Sequence, residues 1–549
     1  MRALLASLLA SLLVVLSACA GAPPADAPPP REHDVVVYGA TSAGVTAAVR
    51  AARAGLDVVL IEPGAHVGGL SAAGLGATDI GNKRAIGGLS RGFYRRVRAW
   101  YADDAHWVRG ERGPAAGWRD GEDAMWRFEP HVAERIFEDL LAEAGVSVVC
   151  GERLDRGDGV ALDGQRLTQV RMESGAAFAG RMFIDATYEG DLMAAAGVPY
   201  TVGRESNATY GESLNGVQTA NAVFHQFVAQ VDPYVVPGDP TSGLLPGVHG
   251  AGSGSEGAAD RRVQAYCFRM CLTDDPANRI PFARPEDYDE ARYELLLRHF
   301  EAGAERLPWH SIGMPNRKTD TNNNRAFSTD HIGANYAYPE AGYAERERIV
   351  SDHESYQRGL VWTLANHPRV PAKIRAEASR WGLAADEFRA TGGWPHALYI
   401  REARRMVADY VVTDRDCLGA RRAPDPVGLG AYNMDSHNVQ RYVDADGYAR
   451  NEGDVQVAPE QPYGISYRSI VPPRGSAENL FVPVCASASH IAYGSLRMEP
   501  VFMTLGHSAA TAAVLALERG LAVQDVPYDE LSRRLRAEGQ VLTWEPASD

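Results

Sequence analysis

The chain has 549 residues, 45% of them hydrophobic and 23% charged, with a formal net charge of −15. Such a composition supports a packed core, and the acidic balance excludes a nucleic-acid partner, whose phosphates need a basic face. The length allows about two to four structural units.

Residues 1–19 read as a secretion signal. Arg2 supplies the positive start, positions 4–16 are apolar apart from small residues, and Leu16-Ser17-Ala18-Cys19 resembles a bacterial lipobox. The apolar run is short for a membrane-spanning helix. The expected product is extracytoplasmic, lipid-anchored to a bacterial membrane through Cys19, with residues 20–33 as a Pro/Ala-rich tether.

From residue 34 the pattern alternates. Residues 34–38 and 58–61 are short apolar runs flanking a small-residue helix at 43–54, which predicts a parallel sheet with a crossover helix. Residues 131–145 repeat the helical period, with Val132, Ile136, Leu140 and Leu141 on one face and Gly145 as the stop. Strands are expected near 146–150, 167–172 and 178–184. The character changes from about residue 202, with a Gly/Ser-rich loop at 246–259 and helical stretches near 287–300, 346–365 and 396–411. Within the last of these, residues 401–405 read as a salt-bridged helix face. Residues 480–484 form another apolar strand and 503–517 a small-residue helix. The expected fold is α/β, a Rossmann-like domain at 34–201 that is completed by a return segment at 479–525. An α+β substrate domain is inserted at 202–478, and 526–549 form a tail. Cys267 and Cys271, four apart, suit one helical face, and no second Cys/His pair completes a zinc site. No metal is expected.

The chemistry begins at Gly39-Ala40-Thr41-Ser42-Ala43-Gly44, between the first strand and its helix. Glycine there permits a tight turn and close approach of a pyrophosphate to the helix N-terminus. Glu62 ends the second strand about 20 residues later, where an acid binds ribose hydroxyls. Gly68-Gly69-Leu70-Ser71 then lets backbone run close to a ribitol and a flat ring, which favours FAD over NAD.

Several blocks resemble the FAD-dependent oxidoreductases with a G-G-T-P-A-G-type first loop, distant relatives of the fumarate-reductase-like flavoproteins. They are the first loop, Gly68-Gly69-Leu70, the block 76–81, the run Asp185-Ala186-Thr187-Tyr188, and the blocks 432–441 and 487–500. The resemblance implies non-covalent FAD, with Asp185, Ala186 and Thr187 closing over the adenosine side. Ala40 and Ser42 depart from the family's Gly and Pro, and Tyr188 stands where flavoproteins commonly have Gly. In related folds the last helix, here near Glu499-Pro500, points its N-terminus at the flavin pyrimidine.

Oxidising an alcohol needs a base for the hydroxyl proton. His437 and His490 are the candidates, with Arg497 to stabilise an oxyanion or bind a carboxylate; His331, Tyr493 and Glu499 stand behind them. The expected activity is hydride transfer between a small-molecule, sugar-like or other carbohydrate substrate and flavin N5, the electron acceptor being unspecified. A flavin-containing lyase or isomerase, and a surface glycan-binding lipoprotein with a vestigial flavin, remain as alternatives.

Overall fold

Val35, Val36 and Val37 have no solvent exposure, and a strand apolar on both faces belongs at the centre of a sheet covered on both sides. The computed structural model, which describes residues 31–250 and 252–546, places them there. The signal, Cys19 and nearly all of the tether lie outside the described residues. Strand β1 (Glu32–Tyr38) runs parallel to β2 (Val58–Glu62) on one side and to β6 (Ala177–Asp185) on the other. Beyond β2 lies β3 (Ser147–Cys150), also parallel. Beyond β6 the hairpin of β5 (Arg166–Arg171) and β4 (Val160–Asp163) is antiparallel. The order is β3-β2-β1-β6-β5-β4, and the short strand Leu480–Phe481 joins β6 in parallel opposite Phe183 and Ile184.

Helix α1 (Ser42–Arg53) starts where Thr41 caps it, the Thr41 hydroxyl accepting from Gly44 N at 3.3 Å. The helix Glu499–Arg519 packs across it. Gly506 permits the crossing, because a Cβ there would lie 2.1 Å from the Ala43 carbonyl oxygen. Thr46 Oγ1 donates to Met503 O at 2.8 Å across the same contact. The Glu499 helix is long and apolar enough to cross a membrane by length and composition, but it is buried in the protein core. Small residues on both helices allow this approach.

The inserted region has its own core, built on a five-stranded antiparallel sheet ordered Trp309–Met314, Lys318–Asn323, Met270–Thr273, Gly382–Ala384, Arg279–Ile280. Helix Tyr343–Asn366 lies on the same core through Tyr356, Leu360 and Leu364.

Four expectations are corrected. Residues 396–411 are irregular rather than helical, apart from a two-residue strand at Arg405–Met406. The charges at 401–405 are buried, and beside one local pair, Glu402 with Arg405, each finds an ion partner in a distant part of the chain. Cys267 pairs with Tyr399 in an isolated bridge and Cys271 sits in strand Met270–Thr273, so the pair lies on extended chain and not on a helix. The 287–300 helix opens as a 3-10 turn, Glu290–Tyr293, before helix Glu294–Glu301. Strand 480–484 keeps ladder pairing only at Leu480–Phe481.

The return to the first core also starts earlier than residue 479. Val427 O accepts from Ser508 Oγ of the Glu499 helix at 2.7 Å, and Val412, Met434 and Ile465 share the core of Val35 and Val45. The tail folds back as helix Tyr528–Ala537, which buries Leu531 and Leu535 in that core.

Gly506→Val should destabilise the protein by about 1–3 kcal/mol or more, the usual result of overpacking a tight contact. A lowered thermal midpoint of the purified protein checks this, and an unchanged midpoint would show that the crossing can relax.

Candidate active site

The first loop is a cradle of backbone groups. Gly39 N donates to Ile61 O at 2.7 Å, and Thr41 Oγ1 donates to Ala186 O at 2.7 Å. Gly44 cannot be anything larger, since its Cβ would lie 1.8 Å from the Gly39 carbonyl oxygen. The amides of Ser42 and Ala43 occupy the first turn of α1, where no intrahelical acceptor exists. Glu62 faces them at the end of β2, its carboxylate accepting from Ala40 N at 2.6 Å and from Gly64 N at 2.7 Å. Burial pushes Glu62 up to about 7, although both amides favour the charged form. A cavity of about 290 Å³ opens between Gly39, Glu62, Gly69, Thr187 and Tyr188.

Asp185 stands at this cradle but turns inward. Its carboxylate accepts from Thr187 N, Thr187 Oγ1 and Met193 N at 3.0, 2.7 and 2.8 Å, which shapes the turn after β6. Ala186 serves through its carbonyl, and Thr187 lines the cavity. Tyr188 then crosses over. Its hydroxyl accepts from Leu70 N at 2.9 Å and donates to Glu499 Oε1 at 2.8 Å, while Ser71 Oγ donates to Glu499 Oε2 at 3.3 Å. Gly69 brings the backbone under this phenol, while Gly68 lies against the Phe137 ring. The N-terminus of the Glu499 helix therefore meets a carboxyl of its own first turn, which burial pushes up to about 7.

Past Leu70 the chain leads through Gly76 to Asp79, and there a polar cluster begins. Tyr432 donates to Asp79 at 3.2 Å. Arg497 donates to the Tyr399 hydroxyl at 2.8 Å and to Asp435 O at 2.9 Å, and lies 3.5 Å from the Asp435 carboxylate. His437 Nδ1 is 2.7 Å from Asp330, whose other oxygen is 2.9 Å from Arg401. His437 Nε2 lies 3.5 Å from Asp435. Burial and Arg401 oppose charge on this imidazole, but Asp330 and Asp435 outweigh them and hold it above its ordinary value of 6.5. Asp435 in turn is held well below the carboxylate range by His437 and Arg497, against the effect of burial.

His437 and Arg497 thus come together, joined by Gln264, whose Oε1 accepts from His437 N at 3.2 Å and Arg497 Nη2 at 3.3 Å. His490 lies behind them with both ring nitrogens engaged, Nδ1 by Glu402 at 2.7 Å and Nε2 by Ser436 Oγ at 2.9 Å. Of the reserve candidates, Tyr493 donates to Val484 O within the core, and the His331 ring is kept neutral by burial beside His353. Sequence reasoning missed Asp79, Tyr399, Tyr432 and Asp435 as cluster members. Asp79, Tyr432 and Asp435 fall inside the family-like blocks, so a signal existed. Tyr399 had none, because its segment reads as helix.

A parallel sheet with a glycine turn, an acid at the end of β2 and a last helix crossing the first is the architecture of a dinucleotide-binding flavoprotein. The chain belongs to the FAD dependent oxidoreductase family, whose model matches residues 34–535. It is an oxidoreductase that binds FAD, and the cradle residues suit that cofactor: α1 amides for the pyrophosphate and Glu62 for the ribose. Among curated proteins none matches. Solved structures overlap it in part: anhydrotetracycline hydroxylase from Streptomyces rimosus at 14% identity, over 38% of this chain and 39% of that one, TM-score 0.22. A flavin-containing monooxygenase from Stenotrophomonas maltophilia has 20% identity, over 34% and 44%, with a TM-score of 0.20. The thioredoxin reductase of Streptococcus pyogenes gives 20%, 28% and 34%, with 0.17. The chain therefore spans less than half the length of each of these three proteins.

Glu62→Ala should weaken FAD binding by roughly 1–3 kcal/mol, the worth of a charge-assisted hydrogen bond. Gly44→Ala should abolish binding outright by breaking the turn itself. Titration of the apoprotein with FAD, followed by flavin fluorescence, measures both; tight binding by Gly44→Ala would remove the cradle from this loop.

Proposed function

We propose that this flavoenzyme oxidises a hydroxyl-bearing carbon of a small polar, sugar-like compound, with His437 taking the hydroxyl proton. The observation that supports the reading is the setting of His437. Its Nδ1 is paired with Asp330, which is itself anchored by Arg401, so the proton is fixed at Nδ1 and the lone pair stays on Nε2. Bound FAD supplies the hydride acceptor at N5. Arg497 is placed to hold the substrate oxygen as its negative charge grows, and Tyr432 and Asp79 can take further hydroxyls. Arg269 Nη1, Arg497 Nε and Asn438 Oδ1 are buried with no partner among the described residues, so the region keeps unspent hydrogen-bonding capacity. That suits a polyhydroxylated ligand better than an apolar one. His490 serves as a positioning residue, tying Glu402 to Ser436 beneath the cluster.

His437→Ala should slow reduction of the bound flavin by substrate about 10²–10⁴-fold with an unchanged resting flavin spectrum. The imidazole accepts a proton only when neutral, and its value is raised. The wild-type rate should therefore climb with pH and level off above a midpoint higher than 6.5. Stopped-flow measurement across pH tests this, and a flat profile, or wild-type rates in the variant, would assign the base elsewhere.

We also propose extracytoplasmic anchoring through a lipid on Cys19, motivated by Leu16-Ser17-Ala18-Cys19 and the tether. Cys19→Ser should move the protein from the membrane to the soluble fraction of the cell envelope, as fractionation and immunoblotting would show. A variant that stays in the membrane fraction would refute the lipobox.

A further inference from the structure

Outside the cofactor region, His331 meets two consecutive residues of helix Tyr343–Asn366, Asp352 and His353. Each of the three presents one ligand atom, and these atoms lie within 4.8 Å of one another. His353 is 1% exposed, and its Nδ1 sits 2.7 Å from Ile349 O of the preceding turn. That contact fixes the proton on Nδ1 and leaves the lone pair on Nε2, which is buried with no hydrogen-bond partner. His331 Nδ1 is also buried and without a hydrogen bond. Its nearest carboxylate oxygen, Asp352 Oδ2, is 3.4 Å away, near enough for charge interaction but out of line for a hydrogen bond. The His331 ring is clamped flat on Tyr356, with centroids 4.0 Å apart and planes 5° from parallel. Two buried imidazole nitrogens with nothing to bond, converging with a carboxylate, are an uncompensated loss of hydration.

We propose that His331 Nδ1, His353 Nε2 and Asp352 Oδ2 bind one divalent transition-metal ion of the zinc class, with solvent in the fourth position. Two imidazoles and one carboxylate are a donor set for such an ion. Bonds near 2.0–2.1 Å in a tetrahedral site put ligand atoms about 3.3 Å apart, which the His331–Asp352 pair already approaches. Asp352 is half-exposed, and its side chain can close the remaining gap while giving the ion a way in from solvent. Supporting contacts are in place: the Ile349 carbonyl orients His353, and Arg292 holds Asp352 Oδ1 at 2.9 Å, leaving Oδ2 as a single donor. Arg292 opposes the ion by its charge. The other grouping of this type, Glu129, His131 and Glu387, already contains a cation, because Lys318 Nζ lies 2.7 Å from Glu129 and 2.5 Å from Glu387. At the His331 cluster the neighbouring cation, Arg292, bonds only Asp352 Oδ1 and leaves the two imidazole nitrogens without a partner among the described residues. His331 directly follows Asp330, so a bound ion would pin the segment that holds His437.

The test is equilibrium dialysis of the FAD-loaded protein against Zn²⁺, with zinc counted by elemental analysis, on wild type, Asp352→Asn and His353→Gln. Wild type should retain one zinc per chain, and each variant should bind it at least about tenfold more weakly. Zinc-edge X-ray absorption of the loaded wild type should show two imidazole ligands. Asp352→Asn changes a half-exposed side chain and decides the matter if His353→Gln fails to fold. Absence of stoichiometric zinc in wild type, or equal binding by wild type and Asp352→Asn, would overturn the site and leave adventitious surface binding as the account.

Discussion

The crossing of α1 with the Glu499 helix is the contact on which the rest of the molecule depends. Gly506 lets the Glu499 helix approach until it touches the backbone of Ala43, the second residue of α1. Any side chain at that point would tilt the first helix and move the amides of Ser42 and Ala43. The same approach sets Glu499 against Tyr188 and Ser71, so the Glu499 helix also fixes the path of the backbone at Leu70 and Ser71. One small-residue contact thus determines the positions of both ends of the site.

The polar cluster is organised differently. It is built by charge pairing in a buried setting, where an unpaired ion would be severely destabilising. Arg401, Glu402, Arg404 and Arg405 reach Asp330, His490, Asp191 and Glu205. Glu402 and Arg404 tie the inserted region to the first domain through His490 and Asp191, Arg401 and Arg405 brace it internally through Asp330 and Glu205, and His437 takes its orientation from that net. The three guanidinium groups around Tyr399, at 4.7 to 5.7 Å from its ring, pack the phenol between charges without direct ion pairing.

The parallel half of the sheet was legible in the sequence because its strands are apolar on both faces and its helix is marked by Gly and small residues. The cradle was legible for the same reason, since Gly39, Gly44, Glu62 and Gly69 each answer a local demand of backbone or cofactor. The segment at 396–411 was misread because its charges recur at helical spacing while their partners come from residues that no local pattern reveals. Asp79 and Asp435 fall inside the family-like blocks, but no local spacing marks either acid as the partner of a distant cation. His490 carried the same apparent promise as His437. Only the partners of its two nitrogens separate the roles, and those partners, Glu402 and Ser436, lie 88 and 54 residues away.

The early placement of β1 and α1 and the late placement of the Glu499 helix have a consequence for biogenesis. Loop closure over so long an intervening chain is entropically unfavourable, though only slowly more so with length, and contacts of such high sequence separation form late in folding. A ribosome-bound chain therefore lacks the helix that buttresses α1 until about its final tenth arrives. The inserted region, with its own hydrophobic core, can consolidate first and hold the two halves close. The loop Gly39–Gly44 takes its final shape only once the Glu499 helix has docked, so a chain that stops short of residue 499 leaves that loop unbuttressed.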